Sequence, residues 1–249
     1  MRVAVCCHIS KPEKSFDDMP SMITGQPYLD RREAGQILAA HIREQFPASN
    51  SIVLALPRGG VPVGFEVARA LDAPLDVFLV RKLGVPRQPE YAMGAIATGG
   101  YEVLNDQLIA ELGITPLQVA DVADRETAEL RRREAIYRAG RPPIELEGRM
   151  VYLVDDGLAT GFTMRAAIGA LREIGAERLV VAVPVGAEDT CAEIVTLVDG
   201  LVCPFLPDPF HAVSLWYKNF EPTTDQEVQD CLAAAALNHD ATHAPAARS

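Results

Sequence analysis

Three short segments of this 249-residue chain combine charge with glycine at spacings that suit a charged ligand. The first, Val151 to Met164, reads VYLVDDGLATGFTM. An apolar strand candidate ends in two carboxylates, Asp155 and Asp156. A turn bounded by Gly157 and Gly161 follows, with Leu158, Ala159 and Thr160 between them, and then Phe162, Thr163 and a helix-forming run. In an open α/β sheet, ligands sit beyond the carboxyl ends of the strands, where a helix N-terminus offers unpaired N–H groups and a favourable dipole. Gly157 and Gly161 let backbone donors approach an anion, and the Thr160 and Thr163 hydroxyls add two donors. A Walker A loop is excluded, because no lysine follows Gly161.

The acidic half of the segment would repel a phosphate, so its partners are hydroxyl donors or a cation. A ligand with vicinal hydroxyls at one end and a monoester phosphate at the other satisfies both halves, as ribose 5-phosphate does. The alternative is an ordinary strand–turn–helix with an aspartate as helix cap. VDDGLATGFTM resembles the PRPP-binding loop of type I phosphoribosyltransferases. That resemblance implies that Asp155 and Asp156 hold the ribose hydroxyls and that Gly157 to Thr163 hold the 5′-phosphate.

Such a donor also carries a pyrophosphate, so a second anion site is needed nearby. Leu56-Pro57-Arg58-Gly59-Gly60 stands between a strand candidate and a helix candidate. Gly59 and Gly60 can aim N–H groups at an anion beside the Arg58 charge. The segment resembles the family's pyrophosphate loop; otherwise it is a tight turn that happens to hold an arginine. In the third segment, Arg81 and Lys82 follow an apolar run directly. Paired cations of this kind are usually solvated. They resemble the RK segment of orotate and adenine phosphoribosyltransferases, which implies pyrophosphate contact and catalytic roles for Arg81 and Lys82 beside Asp155 and Asp156. Gly84, Pro86 and Pro89 then mark Arg81 to Glu90 as a loop able to act as a lid.

Many 6-oxopurine members carry an acid three residues after the acidic pair; here that position is Ala159. LATG resembles the adenine group over only a few residues. Acceptor choice in the family rests on a variable hood, for which Cys203 to Glu221 is the candidate. It gathers Phe205, Phe210, Trp216, Tyr217 and Phe220 in a chain that is 6% aromatic. A flat base would stack on Trp216 or Tyr217; alternatively these rings pin the C-terminal segment to the core. His211 reads as a surface or hydrogen-bonded residue.

The elements that must position these segments follow from periodicity. Asp30 caps a helix to Gln45, with Ala34, Ile37, Leu38 and Ile42 at helical spacing. Strands are expected at Ser51–Leu56, Leu75–Val80, Ala92–Thr98, Tyr101–Leu104, Arg178–Val185 and near Gly200–Pro204. Helices are expected at Val61–Leu71, from Thr115 to about Arg138, and at Glu188–Leu197. Alternating strands and helices imply an α/β fold with a mainly parallel sheet flanked by helices and a small C-terminal hood. The arginines of Arg131-Arg132-Arg133 alternate with glutamates, as in solvated i,i+4 pairing. The expected divisions are an N-terminal extension over 1–27, a core over 28–202, the hood over 203–230 and a flexible tail over 231–249.

A formal charge of −11 disfavours a nucleic-acid surface. No apolar run reaches bilayer length and no signal-peptide pattern opens the chain, so a cytoplasmic location is the expectation. Five scattered cysteines read as reduced thiols, and Cys6-Cys7-His8 lacks a second ligand pair for a metal. The family resemblance implies transfer of ribose 5-phosphate from PRPP to a nucleobase-like acceptor, with Mg²⁺ arriving on PRPP instead of in a protein cage, and a homodimer. A PRPP-sensing regulator of the same fold is the alternative, and an enzyme with an unusual acceptor is a third. Retention of Arg81-Lys82 favours the enzyme.

Overall fold

The computed structural model describes residues 27–46, 50–138, 141 and 144–243. Cys6-Cys7-His8 and nearly all of the expected N-terminal extension lie outside them. Helix α1 (Arg31–Gln45) starts where Asp30 accepts hydrogen bonds from the Arg32 and Glu33 N–H groups. Strand β1 (Ser51–Ala55) and helix α2 (Gly60–Leu71) come next, then the short β2 (Leu75–Val77). Strand β6 (Met150–Val154) leads into α5 (Phe162–Ile174), β7 (Arg178–Ala182), α6 (Glu188–Ile194) and β8 (Gly200–Val202).

The five strands form one sheet in the order β2-β1-β6-β7-β8, every pair parallel. Because side chains alternate along a strand, the sheet builds two cores. Val53, Ala55, Tyr152 and Val154 face α1 and α2, while Leu54, Val151 and Leu153 pack with Met164, Ile168 and Leu171 of α5. Strands β1 and β6 are buried throughout, as a parallel sheet covered on both faces requires. They bring Leu56–Gly60 and Asp155–Thr163 side by side at their carboxyl ends.

Between β2 and β6 the chain builds an antiparallel ribbon of β3 (Val80–Val85), β4 (Gln88–Ala97) and β5 (Tyr101–Leu104). The expected loop over Arg81–Glu90 is therefore a correction. Gly84 sits at a register shift in β3 and Arg87 takes a left-handed turn conformation, φ 69°. The breakers mark a bulge and a hairpin, features that glycine and proline serve inside sheets as well as in loops. Arg81 and Lys82 are strand residues.

A short helix α3 (Asp106–Glu111) and the long α4 (Pro116–Tyr137) complete the insertion. Helix α4 opens on the expected capping box of Thr115 and Gln118. Its last turn is fixed to β2 by Arg138, which donates to both oxygens of the buried Asp76 at 3.1 to 3.2 Å. A 3-10 turn, Val213–Trp216, lies in the hood. The chain then forms α7 (Asp225–His243) where a flexible tail was expected. Its alanine-rich sequence lacks a clear apolar stripe, yet Val228, Cys231, Leu232 and Ala235 are buried beside α2 and α4. Tertiary burial adds to the helix propensity of its alanines in holding this helix.

Candidate functional site

Asp155 and Asp156 stand at the end of β6, where the last strand bonds stop. The Asp156 N–H donates to Asp155 Oδ1 at 2.8 Å, fixing the first carboxylate against its own turn. Burial, and then the neighbouring Asp156 charge, pushes the Asp155 carboxyl well above the usual carboxylate range. Burial also raises Asp156, and Arg31 offsets part of that rise. Two adjacent carboxyls in a low-dielectric corner do not ionise independently, so the pair holds a proton more readily than two exposed aspartates would.

The following loop has its carbonyls tied from behind. The Leu158 N–H donates to the Val185 carbonyl and Ala187 N–H to the Leu158 carbonyl, both at 2.9 Å. The Thr190 hydroxyl donates to the Ala159 carbonyl at 2.7 Å, and Arg165 Nη2 to the Thr160 carbonyl at 2.5 Å. Gly161 takes φ 70°, a conformation glycine tolerates best, and a Cβ there would lie 2.7 Å from Thr190 Cγ2. The N–H groups of the first turn of α5 have no intrahelical acceptor, and the turn from Gly157 ends at that helix N-terminus.

Leu56–Gly60 lies against this loop. The Leu56 N–H donates to the Val154 carbonyl at 2.8 Å, and the Pro57–Arg58 peptide is cis. A Cβ on Gly60 would fall 2.8 Å from the Val154 oxygen and 2.9 Å from Asp155 Cα; one on Gly59 would overlap the Asp156 carboxylate. The two glycines are what let the two loops touch. Arg58 is half exposed and sits 3.7 Å from Asp225 Oδ1, at the start of α7.

On β3, successive residues point to opposite faces. Arg81 reaches α4, where Nε and Nη2 contact one oxygen of Glu126 at 2.8 and 2.5 Å. It also borders a narrow crevice with Leu56, Pro57 and Thr163. Lys82 lines a cleft of about 650 Å³ with Thr160, Phe162 and Thr163. The structure thus brings all three sequence segments together. The charges are held by internal partners: Asp156 by Arg31, Arg58 by Asp225 and Arg81 by Glu126.

The hood rings behave differently from the stacking expectation. Tyr217 is buried, with Tyr28 and Phe220 as ring neighbours at 5.6 and 5.0 Å, and its hydroxyl donates to the Asp156 carbonyl at 2.5 Å. Trp216 packs edge-on against Phe205 at 4.8 Å, and its buried Nε1 has no partner among the described residues. The geometry favours the pinning role for Tyr217. Val213 closes over the turn from above, and a Cβ on Gly157 would lie 2.5 Å from it.

Sequence reasoning missed Arg31. Its Nε donates to Asp156 Oδ2 at 2.9 Å and Nη1 to the Glu221 carbonyl at 2.8 Å, with its guanidinium 3.9 Å from the Phe220 ring centroid. Its partner on the loop is 125 residues away, so no local pattern could have found it.

The family description "Phosphoribosyl transferase domain" matches residues 29–208, a span that takes in Leu56–Gly60, Arg81-Lys82 and Asp155–Thr163. The chain belongs to that family. A curated relative from Mycobacterium tuberculosis, named "Putative phosphoribosyl transferase Rv0571c", is 46% identical over 199 residues. That match covers 80% of this chain and 45% of the relative, so the chain spans about half the length of the curated relatives it matches. The crystal structure of TT1426 from Thermus thermophilus has 39% identity and a TM-score of 0.76, covering 84% of this chain and 99% of that one. Over 73 residues, 29% of this chain and 36% of the relative, the sequence is 41% identical to a bifunctional protein pyrR of Enterococcus faecalis. Trp216, Tyr217 and the hood residues after Asp208 lie beyond the residues the phosphoribosyl transferase description matches. Among the described residues, no helix is long and apolar enough to cross a membrane.

Proposed function

We propose that the protein transfers ribose 5-phosphate from PRPP to a nitrogenous base and releases pyrophosphate. The observation that carries the reading is the direct packing of Gly59 and Gly60 on Asp155 and Asp156. It sets a candidate pyrophosphate loop against a candidate ribose loop, so that an anomeric carbon would lie between them.

The 5′-phosphate would sit at the N-terminus of α5, and the ribose hydroxyls would donate to the acidic pair. The base nitrogen forms its bond to the anomeric carbon as the carbon–oxygen bond to pyrophosphate breaks, the electron pair leaving with pyrophosphate and the nitrogen's proton passing to solvent. Positive charge grows on the ring and negative charge on the leaving group. Holding the reactants in line and neutralising the leaving group are the two contributions open to this chain. Arg58, Arg81 and Lys82 are the neutralising groups, once Arg58 and Arg81 exchange their carboxylate partners for phosphate oxygens.

Mg²⁺ fits as a companion of the substrate. It takes oxygen ligands and keeps several waters. Asp155 and Asp156 supply oxygens beside the phosphates, while Asp156 is already engaged by Arg31. Contact through water is the arrangement these residues suit. The ion would supply charge neutralisation on the pyrophosphate.

The internal pairing of Arg58, Arg81 and Asp156 supports a second reading, a PRPP-binding regulator without turnover. Incubating the protein with PRPP, Mg²⁺ and a panel of purine and pyrimidine bases, followed by mass spectrometry, separates the two. A nucleoside monophosphate made by the native protein and not by Asp156→Asn is the expected result. PRPP bound but unconsumed with every base would favour the regulator, and absence of PRPP binding would overturn both readings.

A further inference from the structure

We infer that Arg133, which the sequence pattern presents as one of three solvated arginines, is a further pyrophosphate-binding residue, acting with Arg58 and Arg81 at the crevice where their segments meet. The inference rests on the transferase reading of the site.

Glu126, Leu130, Arg133 and Tyr137 recur every three or four residues along α4 and so share one face of that helix. Leu130 and Tyr137 are buried and Glu126 holds Arg81, so this face turns towards the core and β3. Arg133 follows it inward: its side chain is 36% exposed, against 59% for Arg132. It borders the narrow crevice that Pro57, Arg81 and Thr163 also line, one residue from each of the three segments. A second chain of contacts leads to Arg58. The Tyr137 hydroxyl donates to Asp225 Oδ1 at 2.5 Å, and that oxygen lies 3.7 Å from Arg58 Nη1. Burial, and then the bond to Asp225, push the hydroxyl up to about 12, while the Arg133 and Arg58 charges oppose the rise. Both guanidiniums therefore stand near one phenol.

Arginines gathered in this way repel one another, and each of the three has a carboxylate that offsets the repulsion: Asp225 for Arg58, Glu126 for Arg81 and Glu129 for Arg133. Arg133 differs in how it is held. Glu129 takes only its Nε, at 2.8 Å, and Nη1 and Nη2 make no hydrogen bond to another described residue. Those groups can receive phosphate oxygens without giving up an existing partner. Leu56, Phe78 and Leu79 form the apolar wall of the crevice, and all three are buried, so a charge beside them is screened less than one in open water. Guanidinium forks match phosphate oxygens in geometry as well as in charge. Just beyond Arg133 the helix is fixed to β2 by the pair of Arg138 with Asp76. Arg133 is thus positioned before a ligand arrives, which lowers the ordering cost of binding.

The test uses the full chain. Wild type, Arg133→Gln, Arg133→Lys and Arg132→Gln are titrated by calorimetry with inorganic pyrophosphate and, separately, with ribose 5-phosphate, both with Mg²⁺. Turnover of PRPP with the panel of bases is followed alongside, and circular-dichroism melting checks the fold. Arg133→Gln should weaken pyrophosphate binding by about 10-fold and leave ribose 5-phosphate binding unchanged. Arg133→Lys, which keeps the charge and loses the fork, should recover part of the loss. Arg132→Gln also gives up a bond to Glu129, yet should bind both ligands as wild type does. Equal losses in Arg132→Gln and Arg133→Gln would mean an effect transmitted through Glu129, and would overturn the inference. So would a loss confined to ribose 5-phosphate, or unchanged pyrophosphate binding in a folded Arg133→Gln. Should that variant not fold, Glu129→Gln decides: releasing Arg133 should tighten pyrophosphate, and unchanged or weaker binding overturns the inference. Pyrophosphate binding that depends on Arg133 without any turnover would keep the inference and sink the catalytic reading. Turnover with no dependence on Arg133 would do the reverse, and absence of both pyrophosphate binding and turnover would overturn the two together.

Discussion

Gly60 is the sharpest single test of how this site is assembled. A Cβ there would lie 2.8 Å from the Val154 oxygen, 2.9 Å from Asp155 Cα and 3.1 Å from Asp155 Oδ1. The two closest atoms are backbone at the end of a fully buried strand, so no flexible side chain can move aside. Restoring ordinary contact near 3.4 Å requires the two loops to part by roughly 0.6 Å. Overpacking of this kind costs about 1–3 kcal/mol. In a domain of this size each kcal/mol moves the Tm by about 2–4 °C, so Gly60→Ala should melt roughly 2–12 °C below wild type. Misplacement of this order lowers turnover by up to about 100-fold. Gly169 supplies the opposite sign within the same fold. It lies inside α5, and its Cβ would meet only Val103 methyls at 3.8 and 4.0 Å. Gly169→Ala should therefore stabilise the protein by about 0.5–1 kcal/mol through helix entropy. Circular-dichroism melting and PRPP calorimetry on both variants decide the matter. A Gly60→Ala protein with wild-type Tm and wild-type PRPP affinity would refute the claim that the loops touch there.

Three further outcomes are expected. Because the Asp155 carboxyl is raised in the folded protein, its stabilising contribution is full below the ordinary carboxylate value of 3.8 and is lost as pH climbs through the raised one. Asp155→Asn should consequently melt higher than wild type at neutral pH and show a shallower decline with rising pH, while losing PRPP binding; an unchanged pH slope would contradict this. Tyr217→Phe should cost about 1–3 kcal/mol, since it strips a partly buried Asp156 carbonyl of its donor, and urea unfolding reads the loss. Glu126→Gln should cost under about 1 kcal/mol because its pair with Arg81 is partly exposed, and it should tighten PRPP binding in calorimetry by releasing Arg81.

The parallel sheet and the loop at Asp155 were legible because their signals are local. A buried strand, an acidic pair, two glycines and the start of a helix stand within fourteen consecutive residues. The ribbon was misread where Gly84, Pro86 and Pro89 suggested a loop, since a breaker also marks a bulge or a hairpin and only cross-strand pairing tells which. Helix α7 was missed for a related reason: its alanines become apolar surface only when α2 and α4 lie beside them. The hood aromatics were visible, but not the direction each faced. Arg31 gave no signal at all, because an ion pair between residues 31 and 156 exists only once α1 is laid beside the end of β6.

The pairing of β1 with β6 joins Ser51 to Met150, positions about a hundred residues apart, and so closes a long loop before it gains its hydrogen bonds. Topologies dominated by such distant pairings fold slowly. Leu56–Gly60 and Asp155–Thr163 can face one another only after that closure, which leaves no half-folded species able to grip a donor through both loops. A ligand spanning them would therefore recognise the completed sheet alone and would draw the whole folding equilibrium towards it by mass action. Hydrogen exchange with and without PRPP would show this as protection gained together across β1, β6 and the ribbon that joins β2 to β6 along the chain, instead of at the loops in isolation.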